Sequence, residues 1–342
     1  MKHDIHFGDL VSRIIQASKN IQKTVAFSDG ADLRTVQALD YYKRINQSRF
    51  LLVGDQKTIY SHVKETGLSM DEQFEIIDPR HSNNKDHYKQ TIKESFEAKN
   101  KPVSDEQLED MVLDTSYYVS TMLKNDHADC AVGGSLSSTR ALVKSVIHVL
   151  GLSEGRKYLS AAAFVDIPHC SYGHHGQFCL ADPAIIPRPD QAQLFDITVS
   201  SYETAKIVLG VEPKVALLSY STLGSAKSQD VDIIKNVVKR VRDENPEMII
   251  DGELQLDAAI VPEVAQQKCP SSPLKGEANV LIMPNLDAAN ISYKVMQRLA
   301  KATVCGSIIL GAGKPFNDLS RGCPYQDIIS LTAMTILQAN GM

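Results

Sequence analysis

The chain has 342 residues, longer than one hydrophobic core usually grows, so two domains are expected. It is 43% hydrophobic and 23% charged, as globular proteins are, and its net charge of −5 argues against a nucleic-acid partner. No apolar run reaches the roughly 18–20 residues that span a bilayer, and six scattered cysteines without a CxxC pair read as reduced thiols.

The chain opens on MKHDIHFGDLVSRIIQ, which is charged throughout and has no secretory h-region, so a cytoplasmic protein is expected. Short apolar runs then alternate with helical periodicity, the pattern of an α/β protein. Strands are expected at 24–27, 50–53, 75–77 and 130–132, and again at 215–219, 248–250, 280–283 and 308–310. Most are continuous apolar runs, as parallel strands covered on both faces require. Ser104 followed by Gln107 is a capping box leading into Leu108, Met111 and Val112. Residues 158–167 and 177–186 read as an antiparallel hairpin that starts a second domain. After Ser228, Val231, Ile234, Val238 and Val241 form one apolar stripe. A last helix is expected near Pro324, a residue suited to the first helical position.

Four stretches could carry chemistry. The first, GAGKPFNDLSRGCPYQD from Gly311 to Asp327, lies between a strand and a helix. Ser320, Arg321 and Gly322 precede the helix N-terminus, where free N–H groups and a guanidinium fork suit phosphate, and Asp327 falls in the first turn. The same residues also fit a helix cap with a solvated arginine and a dipole-compensating aspartate. The second, Gly133-Gly134-Ser135-Leu136-Ser137-Ser138-Thr139-Arg140, combines glycines with hydroxyls able to donate to phosphate, and also reads as a capped strand-to-helix turn. The third, from Ser219 to Lys227 with Ser221, Thr222 and Gly224, is a similar hydroxyl-rich turn. The fourth, between His169 and Cys179, gathers five potential zinc ligands, but their spacing matches no zinc pattern, and no metal is expected.

Taken together, these blocks resemble the phosphate acetyltransferase (phosphotransacetylase) family, with phosphate butyryltransferases as near cousins. The blocks that carry the resemblance are FSDGADLRTVQALD, LSYSTLGSAKSQDVD, IIDGELQLDAAI, ANVLIMPNLDAANISYK and KPFNDLSRG. The resemblance implies two α/β domains flanking a cleft, as in isocitrate and isopropylmalate dehydrogenases. Domain I would comprise 1–155 plus 308–342, and domain II would comprise 156–307 with the hairpin and a homodimer interface. It implies reversible acetyl transfer between acetyl phosphate and coenzyme A, releasing or taking up inorganic phosphate, by direct thiol attack in a ternary complex. Coenzyme A is then a substrate, and no permanently bound cofactor is implied.

By motif position, the resemblance implies Asp327 as the base for the thiol, Arg321 as the phosphate-binding residue and Ser320 as the donor that holds the thioester or the developing oxyanion. Substrate-binding residues are expected at Ser137, Ser138, Thr139, Arg140 and Lys144, at Ser221, Thr222 and Gly224, and at Asn317 and Gly322. Two departures stand out: the family carries arginines where this chain has Lys99 and Lys144, with Arg140 one turn before Lys144. A thiol near 8.5 and an aspartate near 3.9 leave about 6 kcal/mol for full proton transfer. Burial of Asp327, concerted transfer or cations beside the thiol would each narrow that gap. Propionyl or butyryl transfer, a non-catalytic coenzyme A-binding regulator and a dehydrogenase on the same fold are the alternatives. The last lacks a nicotinamide or metal-binding signature.

Overall fold

The structure, a computed structural model, describes residues 7–341. The first six residues of the N-terminal stretch considered above lie outside it. In chain order the strands are β1 (Thr24–Phe27), β2 (Arg49–Val53), β3 (Phe74–Ile77), β4 (Cys130–Gly133), β5 (Ser160–Asp166), β6 (Gln177–Ala181), β7 (Lys214–Leu218), β8 (Ile249–Leu254), β9 (Val280–Ile282), β10 (Thr303–Leu310) and β11 (Phe316–Asp318). They form two sheets in two compact units. Unit 1 holds Val11–Gly155 and the segment from Ala312 onward; unit 2 holds Phe7–Leu10 and Arg156–Gly311.

The sheet of unit 1 is wholly parallel, in the order β11-β4-β1-β2-β3. Its central strands are apolar and buried from Val25 to Phe27 and from Cys130 to Gly133, as parallel strands covered on both faces are. Residues of the Leu33–Tyr42 helix pack against the Tyr325–Gly341 helix, and the Tyr42 hydroxyl donates to the Ile329 carbonyl at 2.9 Å. The capping box is formed: Gln107 N donates to Ser104 Oγ, and Ser104 N to Gln107 Oε1.

The sheet of unit 2 runs β10-β5-β6-β9-β7-β8. β5 and β6 make the expected antiparallel pair, with Asp166 opposite Gln177, and the loop between them carries the turn Tyr172–His175. The helix Gln191–Leu209 is buried along most of its length and starts on a second capping box, Asp190 with Gln193. The apolar stripe expected after Ser228 is real: Val231, Ile234, Val238 and Val241 are buried in the helix Gln229–Glu244.

Three details differ from the reading of the sequence. β10 pairs antiparallel with β5 and begins at Thr303, earlier than its apolar core suggests. β8 runs on through Asp251, Gly252 and Glu253, polar residues that do not look like strand. Their burial is compensated by Arg242, which donates to Asp251 Oδ1 at 2.7 Å, and by donors that converge on Glu253. Pro324 stands just ahead of the last helix, which begins at Tyr325, and its carbonyl accepts from Asp327 N at 3.1 Å. Among the described residues no disulfide joins the cysteines. Among the described residues no helix is long and apolar enough to cross a membrane, and no group of His, Cys, Asp or Glu is arranged to hold a metal ion.

Candidate active site

In a parallel sheet, ligands settle beyond the carboxyl ends of the strands, where the strand order reverses. In unit 1 that point lies between β1, which leads outward to β2 and β3, and β4, which lies on the other side with β11 beyond it. Three loops leave the strands there. Residues 28–32 follow β1, residues 134–138 follow β4, and residues 319–324 follow β11; each runs into a helix.

Glycines let the loops close on one another. A Cβ on Gly133 would lie 2.0 Å from Ser28 Oγ. One on Gly134, at φ +95°, would lie 2.2 Å from Asp318 Oδ1. The buried Asp29 carboxylate accepts from Ser135 N at 2.8 Å, which ties the first loop to the second. Burial raises its pKa against backbone hydrogen bonds that lower it.

Arg34 ties all three loops together. Its guanidinium forks onto Asp32, Nε to Oδ1 at 3.1 Å and Nη2 to Oδ2 at 2.7 Å. The remaining donors reach the carbonyls of Ser135 at 3.1 Å, Arg321 at 3.0 Å and Cys323 at 2.7 Å. Burial alone would raise the pKa of Asp32, but hydrogen bonds from Arg34 and Ser135 hold it below the usual value.

The backbone of the last loop is therefore fixed while its side chains stay available. Ser320, Arg321 and Gly322 are exposed, and the Arg321 side chain has no hydrogen-bond or ion-pair partner among the described residues. Arg140 and Lys144, exposed on the helix Thr139–Ser145, are likewise without partners. Asp327 is half-buried, and burial pushes its pKa up to about 6. The same burial, with Asp327 nearby, pushes the Cys323 thiol up to about 11. The hydroxyls of Ser28 and Ser137 are buried without a hydrogen-bond partner among the described residues. Such groups cost about 1–3 kcal/mol unless something else satisfies them.

The structure thus gathers Ser137–Arg140, Ser320–Gly322 and Asp327 in unit 1. Ser138 Oγ caps its helix by accepting from Ala141 N at 3.3 Å, and the Thr139 hydroxyl meets Asp318. Asn317 lies deeper: it is fully buried, and its amide nitrogen donates to Thr335 Oγ1 and Gln338 Oε1, both at 2.9 Å. Lys99 is engaged as well, donating to the carbonyls of Ile147 at 2.5 Å and His148 at 2.7 Å. Ser221, Thr222 and Gly224 belong to unit 2, where Ser221 and Thr222 are buried and Gly224 is exposed. Ser221 Oγ lies 3.1 Å from Glu253 Oε1, Gly224 N donates to the same oxygen at 2.7 Å, and Thr222 Oγ1 accepts from Gln255 N at 3.1 Å.

A cavity of about 420 Å³ on unit 2 is lined by Lys235, Lys239 and Arg242, but Asp243, Asp251 and Glu253 line it too and Arg242 is paired with Asp251. In unit 1, Arg140, Lys144 and Arg321 are exposed and without hydrogen-bond or ion-pair partners among the described residues. Asp29, Asp32, Arg34 and Asp318 do not stand out in the sequence. The block FSDGADLRTVQALD holds the first three, and an Asp-x-Arg at a helix start was the available signal.

Comparison with known proteins gives one answer. Residues 9–336 match the family model described as phosphate acetyl/butaryl transferase. A phosphate acetyltransferase from Thermoanaerobacterium thermosaccharolyticum is 39% identical over 330 residues, 96% of this chain and 99% of that protein. A phosphotransacetylase crystal structure from Streptococcus pyogenes aligns with TM-score 0.89 at 30% identity, covering 99% of this chain and all of that one. A phosphotransacetylase from Staphylococcus aureus aligns with TM-score 0.84 at 32% identity, covering 97% of this chain and 98% of that one.

Proposed function

The chain belongs to the phosphate acetyl/butyryl transferase family, and on that premise we propose how its unit 1 site moves an acetyl group between acetyl phosphate and coenzyme A. The enzyme interconverts acetyl-CoA plus phosphate with coenzyme A plus acetyl phosphate. The observation that carries the site assignment is the unpaired Arg321 side chain on a loop whose backbone Arg34 holds rigid, beside a half-buried Asp327.

Arg321 takes the phosphoryl oxygens of acetyl phosphate, and its charge offsets the negative charge that grows on phosphate as the acyl C–O bond breaks. Asp327 accepts the thiol proton as sulfur attacks the carbonyl carbon. With Asp327 at about 6 rather than near 3.9, the mismatch with a thiol near 8.5 falls to about 3 kcal/mol. Burial outweighs the helix N-terminus, which would have lowered it. Ser320 supplies a donor to the tetrahedral oxyanion. Ser137 and Thr139 offer hydroxyls to substrate oxygens, and Arg140 and Lys144 offer charge to the phosphates of coenzyme A. Holding both substrates at one strand edge removes much of the entropic barrier. The working unit is a homodimer in the cytoplasm.

Direct attack within a ternary complex predicts intersecting initial-velocity lines when coenzyme A and acetyl phosphate are varied together. Parallel lines, the pattern of a covalent acyl-enzyme, would rule that mechanism out.

A further inference from the structure

The contact between Thr139 and Asp318 joins the loop after β4 to the loop after β11. Asp318 ends β11 opposite Gly133 and is 4% exposed. Its Oδ2 makes a short hydrogen bond with Thr139 Oγ1. Its Oδ1 is buried without a partner, pressed against the space that Gly134 leaves by lacking a Cβ.

The contact can be made in two ways. An ionised Asp318 must accept, so Thr139 spends its proton inward and turns only lone pairs toward a ligand. A neutral Asp318 donates, and the Thr139 proton is then free to meet an anionic oxygen. The surroundings favour the second arrangement at neutral pH and below. No ion pair reaches Asp318 among the described residues, one of its oxygens is orphaned, and a buried, unpaired carboxylate is strongly disfavoured. The charged group that bears on it is another buried acid, Asp29, from the loop after β1, with the Asp32–Arg34 pair behind Asp29. Gly134 on the β4 side brings no charge. Arg140 and Arg321, on the flanking helix and loop, are exposed and without partners. Burial and the Asp29 charge push the Asp318 pKa up to about 7, against the Thr139 hydrogen bond that lowers it.

We propose that Asp318 is a positioning residue that sets the direction of the Thr139 hydroxyl, aiming its proton at the substrate's anionic oxygens when Asp318 is neutral and withdrawing it when Asp318 is ionised. This rests on the reading of Thr139 as a substrate donor. No bond is made or broken; one proton leaves Asp318 to solvent, and the hydrogen bond to Thr139 reverses.

The test is binding of acetyl phosphate, without coenzyme A, by calorimetry between pH 6 and pH 8, where the ligand stays largely a dianion. Wild-type affinity should fall by up to roughly tenfold across that range, the change expected of one controlling group near pH 7. Asp318→Asn presents an amide donor to Thr139 at every pH and should lose that slope, and so should Thr139→Val. Any slope due to Asp327 is common to all three proteins and cancels. A wild-type slope that persists in Thr139→Val overturns the proposal, even if Asp318→Asn does not fold. So does a slope that persists in folded Asp318→Asn. If Thr139→Val instead binds as tightly as wild type at pH 6, the failure lies in placing Thr139 at the substrate.

Discussion

Asp327→Asn separates the chemistry of the site from its stability. Burial raises the Asp327 pKa from 3.8 to about 6. That shift of about two units corresponds to roughly 3 kcal/mol spent on ionising the carboxyl inside the fold. The folded protein therefore binds more protons than the unfolded chain between pH 3.8 and about 6, and stability falls as pH rises through that window. Asparagine does not ionise, so above pH 6 the variant should be more stable than wild type, by up to about 3 kcal/mol in urea unfolding. It should also be far less active, with kcat down by roughly 10²-fold or more, the usual scale for loss of a general base. Wild-type activity should drop on the acid side near pH 6 as the base is protonated. In the variant that limb should vanish, and the residual rate should climb toward the thiol pKa. The assay is thioester absorbance at saturating substrates from pH 5 to pH 9, beside unfolding curves at pH 5 and pH 8. An unchanged kcat, or an acid limb that persists in the variant, would refute the assignment of Asp327.

Arg321→Ala should lose most activity and raise KM for acetyl phosphate while the unfolding midpoint stays near wild type, because its side chain has no partner among the described residues; steady-state kinetics checks it. Arg34→Ala should cost about 2–4 kcal/mol in denaturant unfolding, since it strands the carboxylate of Asp32 and three loop carbonyls at once. Lys144→Ala should weaken coenzyme A binding by roughly 1–3 kcal/mol in calorimetry, the scale of a charge-assisted hydrogen bond, and leave KM for acetyl phosphate nearly unchanged. Equal coenzyme A affinity for wild type, Lys144→Ala and Arg140→Ala would remove both residues from the nucleotide site.

Much of this site is legible in the sequence because its motifs are local. The Ser320–Gly322 turn, the hydroxyls after β4 and the acid in the last helix each sit where a strand meets a helix, and strand and helix periods mark such junctions. What is not legible is long-range. Arg34 follows Asp32 at a helix start and reads as a cap beside a solvated arginine, yet its acceptors lie 101, 287 and 289 residues away. β11 is three residues long and two-thirds polar, Phe-Asn-Asp, so no period reveals it; it exists because β4 offers an unpaired edge. Asp327 shows the limit most clearly. Its place in the sequence points to a lowered pKa through the helix dipole, and burial, which depends on the packed fold, raises it instead. Lys99, which the resemblance places where an arginine is expected, donates in the fold to the helix-end carbonyls of Ile147 and His148.

The most direct measurement is acetyl-CoA consumption by the purified protein, followed by loss of thioester absorbance with and without inorganic phosphate. The loss should depend on phosphate and release free coenzyme A, and thioester should form when acetyl phosphate and coenzyme A are supplied instead. No turnover in either direction with acetyl, propionyl or butyryl substrates would contradict the proposed transfer.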